Sequence, residues 1–244
     1  MRNIRLLIQY DGTAYHGWQR QNNDITIQEE LETKLSTILR ESITLIGSGR
    51  TDSGVHALGQ VANFKTKSHL PSKQIISALN GFLNKDIRIF KCEDVDIDFH
   101  SRFSAMKREY KYIIYNGLVC PPFIMKYVYW LKKPLNIEKL KCSLKILEGE
   151  HDFTSFCAKS DESKSKVRTI HKTEVIQNKE EITILISANS FLRKMIRMIL
   201  GVVIDINLKN KPLDEVTKIL SLKSRDHNYY TVPASGLYLN QVWY

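Results

Sequence analysis

The chain has 244 residues, 43% of them hydrophobic and 25% charged, with a formal net charge of +10. No apolar run approaches the roughly 20 residues that span a bilayer, and the run after Met1-Arg2-Asn3-Ile4 stops at Asp11 without a secretory core. A soluble protein without a membrane partner is therefore expected. Cys92, Cys120, Cys142 and Cys157 lie scattered, with no Cys-x-x-Cys pair, so no zinc site is expected and the thiols suit a reducing cytoplasm.

The charge is uneven. Residues 1–100 hold 12 Lys and Arg against 12 Asp and Glu, which leaves 24 against 14 for residues 101–244. The whole excess lies in the second part. It points to a polyanionic partner, although a solvated lysine-rich surface would give the same count.

In chain order, Ile4–Tyr10 is a short strand that ends at the turn pair Asp11-Gly12. Thr26-Ile27-Gln28-Glu29 has capping-box spacing, and Ile27, Leu31, Leu35 and Leu39 recur on one helical face. A strand near Ile43–Ile46 leads to a glycine-rich loop, and Val61–Phe64 reads as its return. Pro71 opens a second helix carrying Ile75, Ile76 and Leu79, followed by a strand at Ile87–Phe90. A similar order follows Arg102: a strand at Tyr110–Tyr115, a helix over Asn136–Leu147, and a half-buried strand where Ile182, Ile184 and Ile186 alternate with polar residues. Lys159–Lys166 reads as a polar loop without structure of its own. Asn189-Ser190 is expected to cap a helix from about Phe191 to Ile206, another helix follows Pro212, and Gly236–Tyr244 closes as a strand. The economical interpretation is an α+β protein of two ferredoxin-like βαββα halves, residues 1–100 and 101–244. Their mostly antiparallel sheets are expected to pack around a central basic cleft. The second, basic half would face the polyanionic partner.

The segment Gly47-Ser48-Gly49-Arg50-Thr51-Asp52-Ser53-Gly54-Val55-His56-Ala57-Leu58-Gly59-Gln60 is the richest in chemistry. A dinucleotide fingerprint fails because its sixth position is Asp52, and a P-loop fails because Val55 follows Gly54 where lysine is required. A tight loop remains, holding a carboxylate near Arg50 with glycines that permit close approach of a substrate backbone. Asp52 there is either a reactive group or the anchor of a local Asx turn.

Gly49-Arg50-Thr51-Asp52-Ser53-Gly54-Val55-His56-Ala57 with Gly59-Gln60-Val61 resembles the active-site signature of the TruA family of tRNA pseudouridine synthases. Four further stretches resemble the family in the right order. They are Tyr10-Asp11-Gly12-Thr13 with Gly17-Trp18-Gln19; Phe99-His100-Ser101-Arg102-Phe103-Ser104-Ala105 followed by Arg108-Glu109-Tyr110-Lys111-Tyr112; Phe191-Leu192-Arg193-Lys194-Met195-Ile196-Arg197; and Pro233-Ala234-Ser235-Gly236-Leu237-Tyr238-Leu239. The departures are Ser53 and Ser101 where alanine is usual, and His227-Asn228-Tyr229-Tyr230 in place of an Ala-Gly-Pro-like run.

The resemblance implies isomerisation of uridine to pseudouridine at tRNA positions 38 to 40, without cofactor or metal, by a homodimer acting on the anticodon stem-loop. It makes Asp52 the catalytic carboxylate, Arg50 an aid to base flipping, and Tyr110 a packing partner of the target base. Arg197 would pair with the aspartate and keep it ionised. Arg197 is also read as lying one helical turn from Arg193, on a polar stripe with Lys194. Arg102 and Arg20 are candidates for phosphate contacts, and His56 is either a packed loop residue or a catalytic one. Two other classes compete on the residues alone. A non-catalytic RNA-binding module would not need a glycine-flanked carboxylate in a basic surround. A glycosidase would need a second carboxylate near Asp52, and the motifs hold none.

Overall fold

The computed structural model describes residues 1–224 and 229–244. The fold is mixed α+β, and the chain separates into two compact units: Met1–Met106 with Tyr238–Tyr244, and Lys107–Leu237. The division falls after Met106 where residue 100 was expected, and the last seven residues, Tyr238–Tyr244, go with the first unit.

The first unit contains β1 (Arg2–Tyr10), α1 (Ile27–Leu39), β2 (Ile46–Gly47), β3 (His56–Thr66), α2 (Ser72–Phe82) and β4 (Ile87–Val95). Antiparallel pairing puts β1 between β4 and β3, with β2 on the other edge of β3. Strand β10 (Leu237–Trp243) meets β3 in parallel, Tyr238 opposite His56 and Leu239 opposite Ala57. Alternation along β1 buries Ile4, Leu6 and Ile8 completely, as it does Ile27, Leu31 and Leu35 of α1 and Ile75 and Leu79 of α2. One face of each helix and one face of the sheet thus form the core. Thr26 caps α1 through the Glu29 N–H at 3.4 Å, while the Glu29 carboxylate lies 3.5 Å from Arg20 Nε. Arg20 also stands 3.8 Å from Glu32, so it belongs to an ion cluster on α1. The expected strand at Ile43–Ile46 is shortened to Ile46–Gly47.

The second unit contains β5 (Lys107–Tyr115), β6 (Tyr129–Trp130), α3 (Ile137–Lys145), β7 (Gly149–Asp152), β8 (Val167–Asn178), β9 (Glu181–Ala188), α4 (Met195–Leu208) and α5 (Asp214–Leu222). Strand β9 pairs antiparallel with β5 and β8, and β8 with β7, while the short β6 runs parallel to β5. Ile182, Ile184 and Ile186 are buried as their alternation requires. Asn136 caps α3 by accepting from Lys139 N at 3.0 Å. Helix α4 is apolar nearly all round, and Gly201 lets the chain at Tyr230 lie against it: a Cβ at Gly201 would stand 1.8 Å from the Tyr230 carbonyl oxygen. Of the atypical run, His227 and Asn228 lie outside the described residues, and Tyr229 bonds Glu215 at 3.0 Å and Lys211 at 3.2 Å.

Helix α4 corrects the sequence-based expectation. It starts at Met195 and not near Phe191, because Lys194 adopts a left-handed conformation at φ 62°. Asn189 does not cap it: the Asn189 side-chain oxygen accepts from Ser190 N at 2.7 Å and Thr169 N at 3.2 Å, extending the β8–β9 pairing. The stripe of Arg193, Lys194 and Arg197 on one helical face is therefore absent, since only Arg197 lies in the helix. Among the described residues no helix is long and apolar enough to cross a membrane.

Candidate active site

The loop between β2 and β3 takes its shape from groups around Asp52. Ser48 N donates to Val61 O at 2.7 Å, Ser48 Oγ to Gln60 Oε1 at 2.7 Å, and Gln60 Nε2 to Gly49 O at 2.8 Å. Gln60 is fully buried, so these bonds are shielded from competing water. On the far side Val55 N donates to Asp52 O at 3.1 Å, closing a turn in which Gly54 has φ 76°. The first strand and the chain after it brace the loop from beneath. Tyr10 and Thr51 hydroxyls meet at 2.8 Å, Trp18 N donates to Thr51 O at 3.1 Å, and Gly54 N to Tyr15 O at 3.2 Å.

Two glycines make this approach possible. A Cβ at Gly12 would fall 2.0 Å from Val55 O, and one at Gly17, whose φ is 91°, would fall 2.5 Å from Thr51 O. The distant Tyr-Asp-Gly and Gly-Trp-Gln stretches are thus the floor of the aspartate loop. Asp52 itself is half-buried between the buried Thr51 and the exposed Ser53, and Arg50 is exposed. Ser53 spends its hydroxyl on Tyr15 O at 3.3 Å.

His56 is 2% exposed and its ring stacks on Tyr238 at 4.8 Å. Nδ1 lies 3.1 Å from both Gly12 N and Asp11 Oδ1. Asp11 Oδ1 is itself occupied by Thr13 N at 2.9 Å and Thr13 Oγ1 at 2.5 Å. These contacts give His56 the surroundings of a packed loop residue.

Arg102 is exposed on the turn that follows β4, its guanidinium 5.5 Å from the Phe103 ring. The turn is tied to β3: Ser101, fully buried, gives both its N–H and its hydroxyl to Asn63 Oδ1 at 2.8 Å each. Serine in place of alanine adds the second of those bonds.

In the second unit, Tyr110 lies on β5 opposite Ile186, is 7% exposed, and meets Phe191 edge to face at 5.1 Å. Arg197 is half-buried in the first turn of α4. Its Nε donates to Val232 O at 2.9 Å while Val232 N donates to the Arg197 carbonyl at 3.2 Å. Tyr112, next but one to Tyr110, anchors the Pro233 carbonyl at 3.0 Å, and Gly236 lies so near that a Cβ would stand 2.7 Å from Ile113 O. The Pro-Ala-Ser-Gly stretch is thereby docked on β5.

Thus Arg50, Asp52 and Arg102 lie in the first unit and Tyr110 and Arg197 in the second. Asp161 was missed by the sequence reading. It occupies the loop expected to be structureless, and its only local signal was the Asx-turn spacing to Ser163, whose N–H it accepts at 3.0 Å. Among the described residues no group of three or more His, Cys, Asp or Glu is placed to hold a metal ion.

The family model for tRNA pseudouridine synthase matches residues 6–104 and 144–244. The tRNA pseudouridine synthase A of Caldicellulosiruptor saccharolyticus is 43% identical over 245 residues, and that of Thermoanaerobacter sp. strain X514 is 42% identical over 244. The full length of both chains is covered in each comparison. The Brachyspira hyodysenteriae protein of the same name is 41% identical over 246 residues, covering all of this chain and 99% of its own. Each glycine that braces the aspartate loop, and the loop itself, falls inside the first matched stretch. The chain belongs to the tRNA pseudouridine synthases, isomerases that convert uridine in tRNA to pseudouridine.

Proposed function

We propose that the enzyme acts on the anticodon stem-loop, at uridines 38 to 40, with Asp52 as its catalytic carboxylate. The observation that carries this reading is a half-buried aspartate on a loop whose shape is set by backbone groups and by Ser48, Thr51 and Gln60. A reacting group needs such a fixed mount.

The reaction breaks the N1–C1′ bond, turns the held base, and joins C5 to C1′; the C5 proton leaves and N1 ends protonated. It is redox-neutral, so no electron carrier is required. Asp52 either traps the electron-poor C1′ as a nucleophile or takes the C2′ proton as a base. The target base must leave its stack, and Arg50, exposed two residues before Asp52, is suited to enter the vacated space. The Tyr110 ring packs on the extruded base and its hydroxyl helps move the C5 proton. Arg197 supplies the positive charge that keeps Asp52 ionised, and Arg102 contacts phosphate.

The same reading takes each unit as a ferredoxin-like half bordering a basic cleft. In support, the first unit runs βαββαβ with β1 between β3 and β4, and the second sets β9 between β5 and β8. It also takes the working form to be a cytoplasmic homodimer. Mapping pseudouridine in unmodified tRNA before and after addition of the enzyme tests the target. New pseudouridine at positions 38 to 40 is expected, and modification confined to other positions overturns the assignment.

A further inference from the structure

Within the second unit, the chain from Ala188 to Met195 turns out of a strand and into α4, and a carboxylate remote in sequence holds it. The Asp161 side chain is 5% exposed. Its Oδ2 accepts from Arg193 N at 2.7 Å, and its Oδ1 from Ser163 N at 3.0 Å and Lys166 Nζ at 2.5 Å. The Arg193 carbonyl accepts from Ala158 N at 2.9 Å, so both backbone groups of Arg193 are held by the turn that starts at Ala158. Burial pushes the Asp161 carboxyl up, but the Lys166 ammonium and the N–H groups of Arg193 and Ser163 outweigh it. They hold the group well below the usual carboxylate range.

The next residue, Lys194, is left-handed at φ 62°, an uncommon conformation for a residue with a side chain. Among the described residues no side chain caps α4, and Asn189 is committed elsewhere. The position of the helix start therefore depends on the Arg193–Lys194 turn. Arg197 stands in the first turn of that helix.

We propose that Asp161 is a positioning residue for the isomerisation: it fixes the Arg193–Lys194 turn and, through it, the stance of Arg197. The inference rests on the reading of Arg197 as a residue that acts on Asp52. Asp161→Ala removes the side-chain acceptor of the Arg193 and Ser163 N–H groups. Asp161→Asn keeps one oxygen for Arg193 N–H. Lys166→Met removes the ammonium while leaving the Arg193 bond.

The test is a double-mutant cycle with Arg197→Ala, read by single-turnover rate, tRNA affinity and thermal midpoint. Asp161→Ala should slow the chemical step about tenfold or more with tRNA affinity changed less than about threefold. Asp161→Asn should recover part of the rate, and Lys166→Met should lose less than Asp161→Ala. In the Arg197→Ala background, removing Asp161 should cost no more than about twofold, because the residue it positions is gone. Should Asp161→Ala fail to fold, Asp161→Asn carries the same cycle. A wild-type rate for the Asp161 variants, or an equal loss with and without Arg197, overturns the proposal. If Arg197→Ala alone turns over normally, the reading of Arg197 fails first and this inference falls with it.

Discussion

The aspartate loop after β2 and the segment leading into α4 both deliver a polar residue from a sharp bend, and they are built in opposite ways. In the first, the constraint is steric and spread along the chain: Gly12 and Gly17 let backbone meet backbone, and Gln60 fills the loop from inside. In the second, the bend at Arg193–Lys194 is held by a buried carboxylate, Asp161, by the Ala158 N–H on the Arg193 carbonyl, and by a left-handed lysine. The close backbone contact is lost when a side chain is added at either glycine, whereas the second bend loses an anchor when one side chain is removed.

Removing the reacting group from the first region should have the largest effect. Asp52→Asn keeps the side-chain volume and leaves the bonds from Ser48, Thr51 and Gln60 untouched. Turnover should fall at least about a thousandfold, on the order of 4 kcal/mol of barrier, with tRNA affinity nearly intact because the carboxylate holds no phosphate. Retention of more than a small percentage of the rate would break the assignment of Asp52. Next comes the mount. Gly17→Ala forces a Cβ to 2.5 Å from Thr51 O at φ 91°, so we expect about 1–3 kcal/mol of lost stability and a rate loss larger than the stability loss alone explains. An alanine variant with unchanged melting and kinetics would show that the loop does not depend on this approach.

The contrast also explains what the sequence could disclose. The turn pair after Ile4–Tyr10, the alternation of Ile182, Ile184 and Ile186 in β9 and the Thr26 cap are local signals, and each element formed where its signal lies. The aspartate loop was legible because its glycines lie in the motif itself. The start of α4 was not: Phe191, Leu192, Met195, Ile196 and Ile199 keep helical spacing, and it is interrupted where Arg193 meets Ala158 and Asp161, the latter 32 residues away. The same limit hid the floor under Asp52, since nothing near Tyr15 or Gly17 in sequence announces Thr51 or Gly54. Strand β10 joined the first unit for a related reason, because its pairing with His56 and Ala57 spans most of the chain.

A smaller effect on rate than that of Asp52→Asn is expected for Tyr110→Phe, where packing and chemistry separate. Tyr110→Phe keeps the edge-to-face contact with Phe191 at 5.1 Å, so it should fold and bind tRNA normally and lose about a hundredfold in rate, the lower end for an assisted proton transfer. Tyr110→Ala empties a site only 7% exposed and should cost about 3–5 kcal/mol of stability as well as binding. Stopped-flow rates and thermal midpoints of the two variants decide this. Equal, near-normal rates would make Tyr110 an ordinary core residue.

The smallest expected effect concerns charge, and it sets the two regions against each other directly. The excess of positive charge lies in residues 101–244, and Arg193 and Lys194 are exposed at the bend before α4, where the Arg193 guanidinium donates to Ser160 Oγ at 3.2 Å. Lys65 and Lys67 are equally exposed on and just after β3, in the electrically neutral part. Each phosphate neutralised adds roughly 0.7–0.9 to the slope of log affinity against log salt. Reversing Arg193 and Lys194 to glutamate should therefore weaken tRNA binding and flatten that slope by up to about 1.8. Because the Asp161 bond is made to the Arg193 backbone N–H, this double variant leaves the bend's anchor in place. The same reversal at Lys65 and Lys67 should change the slope much less. Salt titrations of both double variants give the answer: equal losses of slope would mean that the distribution of charge along the chain does not map onto the face that meets the RNA.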